Sequence, residues 1–365
     1  MKLTMDREDL IPILANMANI ADRRPVQPIL AHVLIEATDQ HCRFIATDQE
    51  VQLSVDKAHP VDAPGHCAVP ARKLYDICRA LPEHSPIEFH QDGQKLLLKS
   101  SKSRFTLHTL PAEQFPYLTI RSSRCQGNCD AALFREALAV TANTMAQNDA
   151  RIFLNGVLLE VATTELRLVA TDGHRLAMMT LPFANSLEGE SYQCILPRKA
   201  VLELLRILGS GDIHLELSDT SFVLDDGKQQ FSCKLIDAKY PEYRRVIPQG
   251  HPFSALIDRQ IFKSGLQQSE VLVSDRNPTT HVHLGEDKMT LRSRNEEQEE
   301  GEIEIPIEYQ STEIDIAFNS RYLTDTIQIF AQENLRMRVK DGNSAAVFTP
   351  IDCDNPLYIL MPVRL

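Results

Sequence analysis

The chain repeats itself three times at a spacing far longer than any solenoid unit, and this limits the fold more than any other feature. Met5-Asp6-Arg7-Glu8-Asp9-Leu10, Cys129-Asp130-Ala131-Ala132-Leu133-Phe134 and Ile257-Asp258-Arg259-Gln260-Ile261-Phe262 each set an Asp before a helical pattern, with offsets of 124 and 128. Each Asp suits a helix N-cap, where a carboxylate accepts the unpaired N–H groups of the first turn. Ala46-Thr47-Asp48 recurs as Ala170-Thr171-Asp172, and Arg292-Ser293-Arg294-Asn295 takes the same place in the third copy. A second helix is predicted to begin at Arg72-Lys73, Arg198-Lys199 and Ser320-Arg321, and the copies close on Phe115-Pro116, Tyr240-Pro241 and Asn355-Pro356. Solenoid repeats run roughly 20–50 residues, so these are whole domains of one fold. The expected boundaries are 1–122, 123–249 and 250–365. Turn composition places linkers at Arg121 to Asn128 and at Pro248 to Pro252 around Gly250.

Each copy runs through the same elements. Leu10, Ile13, Leu14 and Met17 form the stripe of an amphipathic helix, repeated by Leu74, Ile77, Cys78 and Leu81 and by Val201, Leu204, Leu205 and Leu208. Between helices lie β-rich runs: His32 to Glu36, Cys42 to Ile45, and Ile87 to His90 joined by the turn Gln91-Asp92-Gly93-Gln94 to Lys95 to Leu98. The expected class is α+β, with two helices and two small antiparallel sheets in each domain.

Composition narrows the function. With 43% hydrophobic and 24% charged residues the chain fits a globular protein. A net charge of −12 argues against holding nucleic acid by bulk electrostatics, though an acidic protein can still carry a local basic surface. Met1 to Asp9 lacks the apolar core of a signal peptide and no uncharged run reaches about 20 residues, so a cytoplasmic location is expected. Eight Cys are too sparse for a disulfide framework, and the close pair Cys125 and Cys129 lacks the partner ligands of a zinc site.

Several constellations carry chemistry. Arg72, Lys73 and Arg79, then Arg198, Lys199 and Arg206, put cations opposite the apolar stripes, suited either to solvent or to DNA phosphates, while Asp325 interrupts the third copy. Arg23-Arg24-Pro25 and Gln147-Asn148 occupy comparable loops with the same two readings. Asp172, His174 and Arg175 tempt a hydrolase reading, but no nucleophile motif or phosphate loop accompanies them. Their first-domain counterpart, Asp48-Gln49-Glu50-Val51, lacks the His and Arg, which favours a binding role in the second domain. The apolar C-terminal segment Tyr358 to Leu365 suits a final strand or the lining of a groove for a partner peptide. Glu296 to Glu304 carries six carboxylates and no cation, whereas Lys95, Lys99, Lys102 and Arg104 form a basic run. Opposite charge in domains three and one suggests head-to-tail closure with a second copy.

Six segments carry a resemblance: Met1-Lys2-Leu3-Thr4; Arg24-Pro25 with Pro28-Ile29-Leu30; Leu154-Asn155-Gly156; Ala170-Thr171-Asp172-Gly173-His174-Arg175-Leu176; Tyr240-Pro241-Glu242-Tyr243-Arg244-Arg245-Val246-Ile247-Pro248; and Met361-Pro362-Val363-Arg364-Leu365. Along essentially its whole length the chain resembles the bacterial sliding clamps, the DNA polymerase III beta subunits. The resemblance implies the DNA-clamp fold, three similar domains per chain and a head-to-tail ring dimer with helices lining the hole and sheets in a continuous outer layer. It implies a non-enzymatic processivity factor that slides on double-stranded DNA regardless of sequence, with no cofactor and no metal. Its partners would be a second copy of itself, the DNA polymerase III alpha subunit, the clamp loader, other polymerases and mismatch-repair proteins. A groove for short Gln- and Leu/Phe-containing peptides would fall on Leu154, Thr171, Gly173, His174, Arg175, Leu176, Pro241, Arg245, Val246, Asn319, Tyr322, Met361, Pro362 and Arg364. DNA contacts would include Arg24, Asn148 and Phe153, beside the helix cations Arg72, Arg79, Arg198 and Arg206. The dimer contact would set Lys73, Arg104, Phe105 and Leu107 against Leu272 and the run holding Glu297, Glu299, Glu300 and Glu302. Asn148, Asn343 and Ala345 depart from the family pattern. Two other readings compete: the hydrolase, and a protein-only scaffold that never meets DNA.

Overall fold

A computed structural model describes every residue of the chain except Arg121, Glu188, Glu190, Asp275, Asn277 and Leu365. The first residue of the predicted first linker and the last of the C-terminal motif therefore lie outside the described residues. Six α-helices occur among the described residues: α1 (Arg7–Ile20), α2 (Ala71–Ala80), α3 (Ala131–Ala142), α4 (Arg198–Ile207), α5 (Arg259–Ser269) and α6 (Ser320–Gln328). The predicted stripe of α1 is its buried face, with Leu10, Ile13, Leu14 and Met17 all in the core. In α2, Leu74 and Cys78 are buried, Ile77 is half-buried and Leu81 lies one residue past the helix end. A fully buried Leu or Ile contributes roughly 1.5–3 kcal/mol, so the stripes fix which face each helix turns inward.

The predicted caps divide. Asp258 accepts the Ile261 N–H at 2.8 Å; Asn319, which the sequence pattern does not mark as a cap, accepts that of Tyr322 at 3.2 Å. Asp6 makes no cap bond. It ends the strand Lys2–Asp6, paired opposite Pro86, and the Arg7 N–H that follows donates to the Ser85 carbonyl at 3.1 Å. Strand pairing therefore places the start of α1 where a cap was expected to.

The strands form three antiparallel sheets, because strands of neighbouring repeats pair edge to edge and, within the third repeat, Phe253–Asp258 pairs with Glu300–Glu308. One compact unit comprises Met1–Ala132, Ala184–Glu188 and Leu202–Leu235. It holds a four-stranded sheet in the order Lys2–Asp6, Pro86–Asp92, Lys95–Ser100, Ser103–His108. It also holds a nine-stranded sheet in which Gln229–Lys234 of the second repeat pairs with Val51–Ala58 of the first. The other unit comprises Leu133–Phe183, Gly189–Val201 and Ile236–Leu365 and holds a twelve-stranded sheet. There Arg175–Pro182 of the second repeat pairs with Leu357–Leu360 of the third.

The predicted first linker is shorter than expected. Cys125–Asp130 is a strand paired with Asp212–Leu217. Cys125, Gly127 and Cys129 face inward while Gln126, Asn128 and Asp130 face out, so the two thiols are core residues rather than an exposed pair. Burial raises both, Cys129 to about 12 with help from Asp130 and Asp212, which keeps them protonated. Residues 248–252 carry no helix or strand, and Phe253–Asp258 is the next strand.

Candidate functional site

The turn between the strands Glu165–Thr171 and Arg175–Pro182 is built by its first two side chains. Thr171 Oγ1 donates to the Arg175 carbonyl at 2.7 Å and accepts the Gly173 N–H at 3.1 Å. Asp172 Oδ1 accepts the N–H groups of His174 and Arg175 at 2.9 and 3.0 Å. The first repeat makes the same four bonds: Thr47 to the Val51 carbonyl and from Gln49, and Asp48 from Glu50 and Val51, between 2.8 and 3.0 Å. Thr-Asp is therefore the turn-forming pair, as its recurrence suggests, and His174 and Arg175 are additions of the second repeat.

Those additions reach the third repeat. Arg175 Nε meets Asp172 Oδ2 at 3.0 Å, and its Nη1 meets Asp325 Oδ2 at 2.7 Å and the Tyr358 hydroxyl at 3.4 Å. Its Nη2 donates to the Asn143 carbonyl, and the guanidinium lies 4.2 Å from the Tyr322 ring centroid. Burial opposes the charge, yet Tyr358, Asp325 and Asp172 hold Arg175 protonated more firmly than a free arginine. The Asp325 that interrupts the helix cations of the third repeat is thus the partner of Arg175. The His174 ring stacks on Tyr322 with centroids 6.3 Å apart, and its carbonyl accepts the Met361 N–H at 2.9 Å. Asp172 is engaged by the turn and by Arg175, so it does not orient His174 as a general base would require. This geometry lends the hydrolase reading no support.

Beside this turn lies a cavity of about 250 Å³. Leu154, Thr171, Gly173, Arg175, Leu176, Pro241, Val246 and Met361 line it, eight of the predicted groove residues, with Arg151, Phe153, Glu242, Tyr243 and Ile359. Of the remaining six, His174, Asn319 and Tyr322 join through the ring stack and the α6 cap, while Arg245, Pro362 and Arg364 lie outside the lining, the two arginines exposed. The core cluster beneath includes Leu158, Val169, Leu176, Tyr240, Tyr243, Val347 and Ile359. Ala345 is buried in that cluster rather than on a rim, and Asn343 is exposed. Val246 and Met361 are 46% and 38% exposed, so apolar surface continues to the mouth. The C-terminal segment forms a buried strand at Leu357–Leu360, and Met361 after it lines the cavity.

Two features of the walls escaped the sequence reading. Arg151 is held by Asp149 at 2.8 and 3.1 Å, which lowers Asp149 to about 2. Glu160, 4% exposed, receives the Tyr243 hydroxyl and Arg244 at 2.6 Å, Arg167 at 3.0 Å and, on its other oxygen, Gln193 at 2.6 Å. Burial alone would raise its pKa, but Tyr243, Gln193 and Arg244 bring it below the usual value. The available signal was a Glu inside the apolar run Val157-Leu158-Leu159-Glu160-Val161.

Comparison with known proteins decides the family. Family models described as the N-terminal, central and C-terminal domains of the DNA polymerase III beta subunit match residues 1–119, 128–242 and 244–364. The chain belongs to the DNA polymerase III beta subunit family. The beta sliding clamps of Pseudomonas aeruginosa and Escherichia coli K12 are 37% and 34% identical to it over the full length of both chains. The crystal structure of the Pseudomonas aeruginosa beta subunit superposes with a TM-score of 0.95 at 36% identity, covering 100% of both chains. That of the same organism's sliding clamp bound to griselimycin gives 0.96 at 37%, with the same coverage. The clamp fold and the sliding-clamp family implied by the sequence are those found.

The beta-subunit residues expected to meet DNA or a second copy are placed as follows. Arg24 is exposed in its loop, beside Val26 at 97% exposure. Arg72 and Arg79 flank Asp76 at 3.2 and 3.8 Å and both lie against the Tyr75 ring, so one carboxylate tempers two cations. Arg206 pairs with Glu203 at 2.9 Å, and Arg198 reaches the Met145 carbonyl at 3.4 Å. Asn148 is exposed at a positive φ of 58°. Phe153, expected at DNA, lines the cavity, its ring 6.4 Å from that of Tyr240.

Ser103–His108 ends the four-stranded sheet, with Arg104 and Phe105 exposed and Leu107 half-buried, and Lys73 is exposed on α2. Leu272 is half-buried, against Gly301, where an added Cβ would sit 3.0 Å from its Cδ1. The strand Glu300–Glu308 pairs with Lys288–Arg294 on one side and reaches Phe253–Asp258 only through Ile307 and Glu308. Its acidic run is not uncompensated, as the sequence suggested. Glu300, Glu302 and Glu304 meet Arg294, Arg292 and Lys288 of the adjacent strand at 3.3, 2.8 and 2.6 Å. Glu297 and Glu299 are exposed, and Glu299 closes the turn with Asn295.

Proposed function

We propose that two copies of this chain close head to tail into a ring that encircles duplex DNA, slides without reading sequence and tethers the replicative polymerase through the groove. The observation that carries the reading is the apolar cavity lined by Leu154, Leu176, Pro241, Val246, Ile359 and Met361, sized for a Leu and an aromatic side chain of a short peptide. Its lining comes from both the second and third repeats, the boundaries proposed being 1–122, 123–249 and 250–365. Partners would be the polymerase alpha subunit, the clamp loader and other polymerases and mismatch-repair proteins of the cytoplasm, which share the site one at a time. The protein performs no chemistry of its own; it raises the polymerase's effective concentration at the primer end.

DNA would be held by Arg24, Asn148, Arg72, Arg79, Arg198 and Arg206 through phosphate contacts, with Phe153 serving the groove. Neutralised cations suit this role, because a ring that holds DNA topologically must not grip it. The dimer would join the strand Ser103–His108 and Lys73 of one copy to Leu272 and the strand Glu300–Glu308 of the next. The test is retention on nicked circular DNA after loading by a compatible clamp loader with ATP. Release only after a restriction cut is expected, whereas equal retention on circular and linear DNA would mean adhesion and overturn the ring.

A further inference from the structure

We propose that Glu160 is a positioning residue of the groove, fixing through the Tyr243 hydroxyl the turn Tyr243–Val246 against which a partner peptide packs. The inference rests on the reading of the groove as a peptide site. Glu160 sits between Arg167 and Gln193 as its cross-strand neighbours, and both donate to its buried carboxylate together with Tyr243 and Arg244. A buried carboxylate is costly unless its lone pairs are filled, and here four donors fill them. Tyr243 lines the cavity and hands its hydroxyl to Glu160 at 2.6 Å. Arg244, also on Glu160, lies 5.0 Å from the Tyr243 ring centroid. Pro241, Glu242 and Val246 of the same segment line the cavity. At its two ends the segment is tied by Arg245 N–H to the Glu242 carbonyl at 3.2 Å and by Ile247 N–H to that of Arg244 at 3.3 Å.

The molecule contains its own control. Glu36, Arg43 and Tyr117 repeat Glu160, Arg167 and Tyr243 at offsets of 124, 124 and 126, and Tyr117 donates to Glu36 at 2.9 Å. In that copy Arg43 turns to Asp56, at 2.7 and 3.1 Å. His66, opposite Glu36 as Gln193 is opposite Glu160, turns to Glu113 at 3.1 Å. Leu118 stands where Arg244 would, and Tyr117 is 54% exposed. The space there is polar, lined by Arg43, Gln52, Asp56, Asp225, Lys228 and Gln229. An apolar groove accompanies the constellation only where the carboxylate is buried and gathers every donor.

The test uses the full chain and a fluorescein-labelled Gln-Leu-Ser-Leu-Phe peptide, with affinity read by anisotropy and the amides of Arg245 and Ile247 by hydrogen exchange. Tyr243→Phe removes one oxygen and leaves the apolar lining. It should weaken binding about tenfold, and Glu160→Gln comparably, since a hydrogen bond to a charged group is lost. The double variant should be little worse than either single one, both amides should exchange faster, and Tyr117→Phe should bind as the wild type does. Should Glu160→Gln fail to fold, the two tyrosine variants carry the test. Binding by Tyr243→Phe within about twofold of wild type, or an equal loss in Tyr117→Phe, would overturn the positioning role while leaving the peptide site standing. Failure of the wild type itself to bind would overturn the peptide reading instead.

Discussion

Gly173 is the residue on which the groove-side turn depends for its backbone. Its φ of +93° lies where L side chains are strained, while a Cβ there would meet Arg151 only at 3.5 Å, an ordinary contact. The cost of Gly173→Ala is therefore backbone strain, not collision, and Gln49 at φ +74° in the first repeat proves that such a turn still forms with a side chain. Gly173→Ala is expected to fold, to lose about 1 kcal/mol in denaturant unfolding and to bind peptide more weakly. A loss too small to measure would mean that the four Thr and Asp bonds alone dictate the turn. Those bonds were legible in the sequence, because Thr-Asp recurs at an offset of 124 while its neighbours change. The Glu160 network was present at the same offset and was missed. Motif reading seeks residues in one segment, whereas Glu160, Arg167 and Tyr243 meet only after three stretches of chain have folded together.

Elements were legible where the periodicity is carried by large side chains. The stripe of α1 is buried throughout, and those of α2 and α4 hold at Leu74, Cys78, Val201 and Leu204, with Ile77 and Leu205 half-buried. The strand Cys125–Asp130 begins inside Arg121 to Asn128, which reads as a linker because the strand's inward positions hold Cys, Gly and Cys, whose alternation with Gln, Asn and Asp is real but weak in hydrophobicity. Asp6 reads as a cap for α1, but strand pairing sets the start of that helix. In α5, Gly265 contradicts helix propensity for a packing reason: an added Cβ would lie 2.5 Å from Ile305 Cδ1 and 3.1 Å from its Cγ1. Ile305 is 1% exposed and cannot swing away. Gly265→Val is expected to force α5 off the strand Glu300–Glu308 at a cost of about 2–3 kcal/mol, seen as a lower thermal midpoint. An unchanged midpoint would show that this part of the sheet yields. The same strand carries the proposed dimer edge, so the substitution should also weaken self-association.

At the scale of the whole molecule, the sequence suggested that opposite charges at its two ends would draw two copies together. The structure redirects that argument. Glu300, Glu302 and Glu304 are matched within their own sheet, so the charge left for a partner is far less than six carboxylates imply. What the proposed contact offers instead is backbone hydrogen bonding at two strand edges, with Phe105 37% exposed and Leu107 half-buried beside one of them. Such a dimer should depend on apolar fit more than on charge. Raising sodium chloride from about 0.1 M to about 0.5 M, where the screening length falls to roughly half, should change the dimer dissociation constant less than about threefold. Phe105→Arg should shift dimer to monomer at micromolar concentration without lowering the midpoint of thermal unfolding of the monomer, because the ring sits on the surface of its own sheet. Sedimentation velocity reads both effects. A salt-driven loss of dimer of tenfold or more would restore charge as the force that closes the ring, and a Phe105→Arg protein that remains dimeric would move the interface away from this edge.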